Sequence, residues 1–287
     1  MKPISPRLKV AAKALRWIPA EAPGKARLAR RLLGSCLEAR DVRVDGRYGM
    51  KFITPSLREP VGFYLLVDGV YEAEVLDFAL GRLGRGAVVV DVGANIGAFT
   101  LPVASRIGPA GCVIAIEASP RVFPYLRQNV ILNELSNVDL VQCAAYNCDR
   151  RTVQFYDAPV DRFGKGSLGA HFHADRISVP ARTLDDLLNE KRIGRVDLIK
   201  VDVEGSEAAV FQGAEKLLTG DRPPVVVFEF CDWAEESVLG EQAGYAQRLL
   251  NDWGYSIWRL GDVKRNKTPL AETLTSGFEM LVAARNS

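Results

Sequence analysis

The sequence predicts an α/β fold built on a parallel sheet that is covered by helices on both faces. Three observations support this prediction. The composition is that of an ordinary globular chain, with 48% hydrophobic, 25% charged and 8% aromatic residues. From Glu72 onward, short apolar runs alternate with segments of helical periodicity. Because these runs are apolar at nearly every position, they are typical of strands that are buried on both faces.

The first 70 residues do not share this alternation, and we expect them to form an N-terminal cap of helices and strands. Residues 1–47 are predicted to be basic helices, interrupted at Pro19 and at Pro23-Gly24. Residues 49–54 and 63–67 are short alternating or apolar runs, and each run predicts a strand.

The elements after residue 70 are predicted in order from periodicity and turn residues. The predicted helices cover residues 75–83, 99–107, 120–133 and 206–218, with Ser119 as the expected N-cap of the third. The predicted strands cover residues 88–92, 111–116, 138–144, 195–203, 224–230, 255–260 and 278–284. Residues 157–182 form the longest irregular stretch, and a loop of that length is commonly a lid or a binding segment.

Positive charge is concentrated at the N-terminus. Residues 1–50 contain 12 Lys and Arg against 4 Asp and Glu, while the remaining residues contain 25 against 31. We expect the basic segment to pack on the body of the protein with one solvated face. Weak contact with an anionic membrane surface and an organelle transit peptide are the alternatives. Nucleic acid is disfavoured as a partner, since the rest of the chain is net acidic.

The five cysteines predict neither a disulfide framework nor a metal site. Their number is odd, no Cys-x-x-Cys pair occurs in the sequence, and the chain has two histidines. Reduced thiols in a cytoplasmic protein are the simplest interpretation. The longest apolar runs in the sequence are far shorter than the roughly 20 residues of a membrane-spanning helix.

The motif Asp91-Val-Gly-Ala-Asn-Ile-Gly97 lies where a predicted buried strand ends and a helix begins. Ligands of parallel sheets bind there, beyond the carboxyl ends of the strands. Gly93 and Gly97 allow a tight turn, and Ala94 and Asn95 belong to the same turn.

The sequence lacks the third glycine of a dinucleotide loop and the Gly-Lys-Ser/Thr of a phosphate loop. The motif therefore favours a nucleoside cofactor without a pyrophosphate, such as S-adenosylmethionine. Asp91 would hold the ammonium group and Gly93 would make room for the amino-acid part, and a turn without a ligand is the alternative.

Glu117 follows the next predicted strand and is the candidate for ribose recognition. A carboxylate there can accept hydrogen bonds from both ribose hydroxyls, because it offers two oxygens. The alternative is that Glu117 has no ligand and is stabilised by the positive end of the dipole of the following helix.

After the third strand, Ala144 and Ala145 are small enough to admit a flat adenine ring. Gln142 and Tyr146 are weaker candidates for contacts with the edge of that ring.

Four strings resemble the FkbM family of methyltransferases, in the order in which the family has them. They are DVGANIGAFT, VIAIEASPRVFPYLRQNVILN, RTLDDLL and DLIKVDVEGSEAAVFQGA. The resemblance implies a class I, Rossmann-like methyltransferase domain over residues 71–287, with a seven-stranded, mostly parallel sheet and an antiparallel final hairpin. It implies S-adenosylmethionine as the cofactor and, typically, a hydroxyl oxygen as the methyl acceptor. One departure is Ala118-Ser119-Pro120, where the family more often has Glu-Pro directly after the strand. Ala118 is still expected beside the cofactor.

The helix predicted over residues 120–133 carries two asparagines that the family also has. Asn129 and Asn133 are four residues apart and therefore lie on one helix face. Hydrogen bonding that fixes the third strand is the expected role.

The candidate catalytic residues are two carboxylates and two histidines. In the fold that the resemblance implies, Asp202 lies beside the cofactor's methyl group, where it can orient the acceptor hydroxyl or take its proton. Glu229 ends the fifth strand and is a second candidate of the same kind. His171 and His173 lie in the irregular stretch, and histidine makes a good general base near neutral pH. We prefer Asp202 as the catalytic residue. The alternative for Asp202 is a salt bridge that only stabilises its loop, and the alternative for the histidines is that they are simply solvated.

These observations predict a methyltransferase that acts on a hydroxyl of a small molecule, sugar or glycan. Two other classes stay open. An NAD-type oxidoreductase is disfavoured by the missing third glycine, and a non-catalytic nucleotide-binding protein is disfavoured because the expected cofactor residues are present. The sequence does not identify the acceptor or the oligomeric state.

Overall fold

The computed structural model describes residues 6–20, 22–147, 151–169, 175–240, 242–263, 265 and 267–285. Its helices are α1 (Pro6–Leu15), α2 (Lys25–Leu33), α3 (Pro60–Val67), α4 (Ala73–Arg82), α5 (Thr100–Ile107), α6 (Phe123–Leu132), α7 (Leu184–Glu190), α8 (Glu207–Gln212), α9 (Glu215–Thr219), α10 (Asp232–Leu239), α11 (Tyr245–Asp252) and α12 (Leu260–Val263). Its strands are β1 (Arg40–Asp45), β2 (Lys51–Ser56), β3 (Val88–Val92), β4 (Cys112–Ile116), β5 (Val138–Val141), β6 (Ala144–Ala145), β7 (Thr152–Asp157), β8 (Asp175–Arg182), β9 (Leu198–Val201), β10 (Val225–Cys231), β11 (Ser256–Arg259) and β12 (Phe278–Ala284).

The central sheet has seven strands in the order β11-β12-β10-β9-β3-β4-β5. The strands from β10 to β5 are parallel, while β12 runs antiparallel to both of its neighbours. This arrangement confirms the predicted seven-stranded, mostly parallel sheet with an antiparallel final pair. It also brings the carboxyl ends of β3, β4, β9 and β10 to one edge, which is where such sheets bind ligands.

Both faces of the sheet are covered, because successive side chains of each strand point to opposite sides. Val90 of β3 packs in a core with helices α7, α8, α9 and α11. Its neighbour Val89 packs in a second core with α4, α5 and α12. Both valines are fully buried, which explains why the strands are apolar at almost every position.

The N-terminal region packs on the sheet rather than standing apart from it. One core cluster joins Leu15 of α1 and Phe52 of β2 to Leu126 of α6. Asn129 of α6 and Asn133, which follows α6, bind the backbone of β2 as a neighbouring strand would. Asn129 accepts from the N–H and donates to the C=O of Ile53, and Asn133 does the same with Lys51. The asparagines therefore fix β2. From the sequence we expected them to fix the third strand of the sheet instead. The boundary at residue 70 stays a prediction.

Four predicted elements differ from the structure. Residues 40–45, predicted as part of the basic helices, form strand β1, which pairs antiparallel with β2. Residues 63–67 form part of helix α3, because Glu59 caps the helix with its carboxylate and Pro60 occupies the first helical position. The irregular stretch 157–182 ends in strand β8, which pairs with β7 in an antiparallel hairpin. The helix predicted over 206–218 is two helices, α8 and α9.

Two predicted boundaries also shift. Ser119 accepts hydrogen bonds from the N–H groups of Arg121 and Val122 at 3.2 and 3.1 Å, but helix α6 begins only at Phe123. The third strand of the sheet ends at Val141, and Ala144–Ala145 pair separately with β8. In the part of the chain that the structure describes, no helix has the length and apolar character to cross a membrane.

Candidate active site

A cavity of about 1160 Å³, which includes solvent at its mouth, opens at the carboxyl ends of β3, β4, β9 and β10. Its wall also includes residues that follow β2 and α3, together with residues 163–166 and 168. The sequence-predicted site residues that line it are Asp91, Gly93, Ala94, Asn95, Glu117, Ala118, Ala144, Ala145, Asp202 and Glu229.

Asp91 is fully buried at the end of β3 and keeps one carboxylate oxygen free. Its Oδ2 accepts a hydrogen bond from Thr100 Oγ1 at 2.5 Å. Its Oδ1 has no hydrogen-bond partner among the described residues. In the same part of the chain, Ser206 Oγ is the second buried side-chain atom that lacks a partner. Both residues line the cavity. Buried polar atoms rarely lack partners, so these two atoms mark a place where a ligand with polar groups fits.

The loop after β3 is shaped by the approach of the neighbouring strand. Gly93 has a φ of +80°, and a Cβ at this position would lie 1.9 Å from the carbonyl oxygen of Asp202. Gly93 is therefore required by the close packing of two strand ends, where the sequence led us to expect room for a ligand. A Cβ at Gly97 would clash with the side chain of Leu101, and Gly97 does not line the cavity. Gly97 therefore allows helix α5 to pack closely, because it leaves space for the side chain of Leu101.

Glu117 ties the loop after β3 to the loop after β4. Its Oε2 accepts from the N–H of Asn95, and its Oε1 accepts from the N–H of Ser119, both at 2.8 Å. Burial raises the pKa of Glu117 to about 7, although these two hydrogen bonds oppose the shift. Each oxygen retains a lone pair for a further donor, so the carboxylate can still accept hydroxyl groups from the cavity.

A buried lysine connects three carboxylates of the cavity. Lys200 pairs with Asp91 across the strands β3 and β9, and its Nζ lies 2.8 Å from Asp202 Oδ2 and 3.5 Å from Glu72 Oε2. Burial alone would lower the pKa of Lys200, but the charges of Asp202, Glu72 and Asp91 outweigh it and raise the pKa well above its ordinary value. Lys200 is therefore a permanent cation that fixes the position of Asp202.

Three carboxylates, Asp202, Glu204 and Glu229, form what we call the acidic cluster. One oxygen of each lies within 4.8 Å of the others. Glu204 Oε1 is held by Lys165 Nζ at 2.5 Å. Burial, followed by the charges of Asp202 and Glu204, raises the pKa of Glu229 well above its ordinary value. The cluster can therefore bind a cation or accept a proton.

The remaining wall is apolar or made of small residues. Ala118, Ala144 and Ala145 line it together with Phe155 and Leu168. Small and aromatic side chains of this kind suit a flat ring. Gln142 and Tyr146, the weaker candidates from the sequence, do not line the cavity.

Several cavity residues are not evident from the sequence. Glu72 has no motif around it, and Glu59 precedes a run that the sequence predicts to be a strand. Lys165 belongs to the 157–182 stretch, whose length was the signal for a binding segment. Glu72, Asn95 and Glu204 all have positive φ angles of 50–54°, and such backbone strain in non-glycine residues concentrates at functional sites. His171 and His173 lie outside the described residues.

Comparison with known proteins gives a family match. The sequence model of the family described as Methyltransferase FkbM domain matches residues 91–257, which is more than half of the chain.

Two relatives and one solved structure illustrate the similarity. The chain is 27% identical over 237 residues to Methyltransferase sdnD of Sordaria araneosa, covering 72% of this chain and 85% of that one. It is 31% identical over 207 residues to the 31-O-demethyl-FK506 methyltransferase FkbM of Streptomyces tacrolimicus, covering 61% and 75%. The crystal structure of a precorrin-6y C5,15-methyltransferase from Geobacter metallireducens aligns with a TM-score of 0.43 and 17% identity, covering 76% and 92%.

Proposed function

The chain belongs to the FkbM family of methyltransferases, with S-adenosylmethionine as methyl donor, and from this premise we propose that it methylates a hydroxyl oxygen of a small molecule, sugar or glycan. Family membership leaves the oxidoreductase and the non-catalytic alternatives without support. The predicted location in the cytoplasm stays a prediction.

The free Oδ1 of buried Asp91 is the observation that carries the assignment of the cofactor site. The amino-acid part of S-adenosylmethionine bears an ammonium group, which is the donor that a buried, unpaired carboxylate oxygen lacks. Ser206 Oγ is the second unpaired atom in the same cavity and can bond the polar part of the same ligand. Glu117 would accept the ribose hydroxyls, with the N–H groups of Asn95 and Ser119 holding it in place.

The adenine ring is assigned to the apolar wall. Ala118, Ala144 and Ala145 leave room for a flat ring, and Phe155 and Leu168 offer apolar contacts on the same wall. Gly97 supports the site through the packing of α5 without contact with the ligand.

The acidic cluster is assigned to the acceptor. The sulfonium supplies an electrophilic methyl group, and in the transfer the oxygen–carbon bond forms as the sulfur–carbon bond breaks, with the electron pair left on sulfur. The enzyme must therefore align the acceptor oxygen and provide for its proton. Asp202, held by Lys200, is the proposed proton acceptor or orienting group, and Glu229 is the second candidate.

The charge of the cavity supports a neutral acceptor. Its lining contains seven carboxyl side chains and two lysines, so a phosphate or carboxylate group near the cluster would be repelled. The name of the Streptomyces relative gives 31-O-demethyl-FK506 as its substrate. That name describes an acceptor with an unmethylated oxygen. Both observations support a neutral hydroxyl compound.

We also propose weak contact between the N-terminal region and an anionic membrane surface. Trp17 is 86% exposed, and Val10, Leu28 and Leu32 are also exposed apolar residues of this region. On α2, the exposed Arg27 and Arg31 alternate with the exposed leucines. Exposed aromatic and aliphatic side chains among basic residues are typical of helices that lie on anionic lipid.

The experiment that tests the function is a methyl-transfer screen. The protein is incubated with S-adenosylmethionine that carries a deuterated methyl group and with pools of polyols, glycosides and phenols. We expect one class to gain the labelled methyl on oxygen, located by tandem mass spectrometry. Asp252→Asn, a change at an exposed acid, is the matched control for Asp202→Asn. Labelling on carbon or nitrogen, or none in any pool despite bound cofactor product, would contradict O-methylation.

A further inference from the structure

We infer that the acidic cluster binds a divalent metal cation of the Mg²⁺ or Mn²⁺ type, a site that the sequence did not predict. Asp202, Glu204 and Glu229 bring three carboxylate oxygens to within 4.8 Å of one another. Carboxylate oxygens are the ligands that Mg²⁺ and Mn²⁺ prefer, and the remaining positions are commonly filled by water or substrate oxygens. This inference rests on the proposed function, because it assigns the same carboxylates to acceptor chemistry.

Glu229 provides an independent observation that points to a ligand. The residue is 5% exposed, and its carboxylate makes no hydrogen bond or ion pair with any other residue that the structure describes. The side chain is directed at the other two carboxylates. A carboxylate without a partner is costly to bury, and a cation shared with the other two carboxylates would remove that cost for Glu229.

The two neighbouring lysines leave room for the cation. Lys200 occupies Oδ2 of Asp202 at 2.8 Å, and Lys165 occupies Oε1 of Glu204 at 2.5 Å. Each lysine thus holds one oxygen and leaves the other free of hydrogen bonds to the described residues. Outer partners of this kind orient metal-binding carboxylates.

The charge balance also favours a cation. Seven carboxyl side chains and two lysines line the cavity, and the cluster combines three of those acids. S-adenosylmethionine carries one net positive charge, which is smaller than the excess of carboxyl groups over lysines in the lining. A divalent ion would offset it.

A cation here would define the acceptor class more closely. An acceptor hydroxyl that displaces water from the ion becomes more acidic, so its proton leaves more readily and the oxygen lone pair is available to the methyl carbon. Acceptors with two adjacent oxygens would bind such an ion better than an isolated alcohol. The inference thus narrows the substrate to neutral polyols, sugars or vicinal dihydroxy compounds.

The test is direct measurement of Mn²⁺ binding to the full chain by electron paramagnetic resonance and calorimetry, with and without S-adenosylhomocysteine. We expect one Mn²⁺ per chain, displaced by excess Mg²⁺, and an affinity lowered by about tenfold or more in Glu229→Gln and in Glu204→Gln. Asp252→Asn should bind Mn²⁺ as the wild type does.

Absence of Mn²⁺ binding to the wild type, both with and without S-adenosylhomocysteine, would overturn the inference whatever the variants do. Unchanged affinity in a folded Glu229→Gln would overturn it as well. Binding of S-adenosylhomocysteine is measured in parallel. If that product binds and Mn²⁺ does not, the metal site fails while the cofactor site stands. If Mn²⁺ binds and the product does not, the proposed function fails instead.

Discussion

The N–H of Asn95 donates to Oε2 of Glu117 at 2.8 Å, so the loop after one strand is tied to the acid that follows the next strand. Ser119 donates to the other oxygen of Glu117 at the same distance. The carboxylate is therefore held in one orientation, with its remaining lone pairs available to the cavity. Preorganisation of this kind lowers the cost of binding a ligand.

Replacement of Glu117 by alanine should weaken cofactor binding. Loss of hydrogen bonds to a charged acceptor costs about 1.5–3 kcal/mol, which corresponds to an affinity loss of about 10- to 150-fold. Calorimetry with S-adenosylhomocysteine measures it directly. Glu272→Ala, at an exposed acid, is the control and should bind normally. Unchanged affinity in folded Glu117→Ala would remove this residue from the ribose site.

Cofactor affinity should rise with pH between about 6 and 8. Burial raises the pKa of Glu117 to about 7, so the group is largely neutral below that pH and ionised above it. Ribose hydroxyls donate to the ionised form, and binding therefore favours loss of the proton. The affinity should increase as the pH passes through about 7 and then level off. In Glu117→Gln the titrating group is gone, and an equally steep rise in that variant would assign the effect to another acid.

The sequence predicts the sheet well because burial on both faces leaves a simple pattern. Val88 to Val92, apart from Asp91, and its neighbours are apolar runs, and helices must separate parallel strands. Asp91 could be assigned because it lies near the end of such a run, and Glu117 because it follows one directly. The position at a strand end follows from the chain alone and needs no knowledge of tertiary contacts.

Other features depend on contacts between distant segments, which the local pattern does not contain. The run from Phe63 to Val67 predicts a strand, yet it is a helix, since a short apolar run fits either structure. Glu72 and Lys165 reach the cavity only because the residue before α4 and the segment around Lys165 lie beside the strand ends. The close approach of Gly93 to the carbonyl oxygen of Asp202 is likewise invisible in the sequence, where a glycine in such a turn suggests room for a ligand.

Helix α2 should be held against the end of α3 by a buried ion pair within the N-terminal region. Lys25 of α2 contacts the carboxylate of Asp68 after α3, and both side chains are at most 5% exposed. Lys25→Met leaves Asp68 buried without a partner, which should lower the free energy of unfolding by about 3–5 kcal/mol. Urea denaturation measures the change. Lys13→Met, at an exposed position of α1, is the control.

A second variant tests whether the ion pair itself causes that loss. Lys25→Met combined with Asp68→Leu removes both charges and should recover much of the lost stability. If the single Lys25→Met variant unfolds at the urea concentration of the wild type, helix α2 is not held by this pair.

Binding to anionic lipid should depend on salt and on the basic residues of α2. At low salt we expect the protein to float with phosphatidylserine-containing vesicles and to be released as the ionic strength rises. Arg27→Glu with Arg31→Glu should abolish flotation. Arg127→Glu with Arg222→Glu makes the same charge change at exposed positions elsewhere and should preserve it. No flotation of the wild type at low salt would favour a basic face that is simply solvated.

Replacement of Asp202 by asparagine should lower turnover while leaving cofactor affinity nearly unchanged. The variant keeps the shape of the side chain but loses its charge and its ability to take a proton. General acid–base catalysis contributes about 10²–10⁴-fold, and the loss of turnover should fall in that range in single-turnover assays of methyl transfer. Lys200 retains Glu72 at 3.5 Å, so the buried lysine keeps a counter-charge and the fold should survive. His171→Ala and His173→Ala should each have a smaller effect. A large loss confined to one histidine variant, with near-normal turnover in Asp202→Asn, would place the base in the 157–182 stretch.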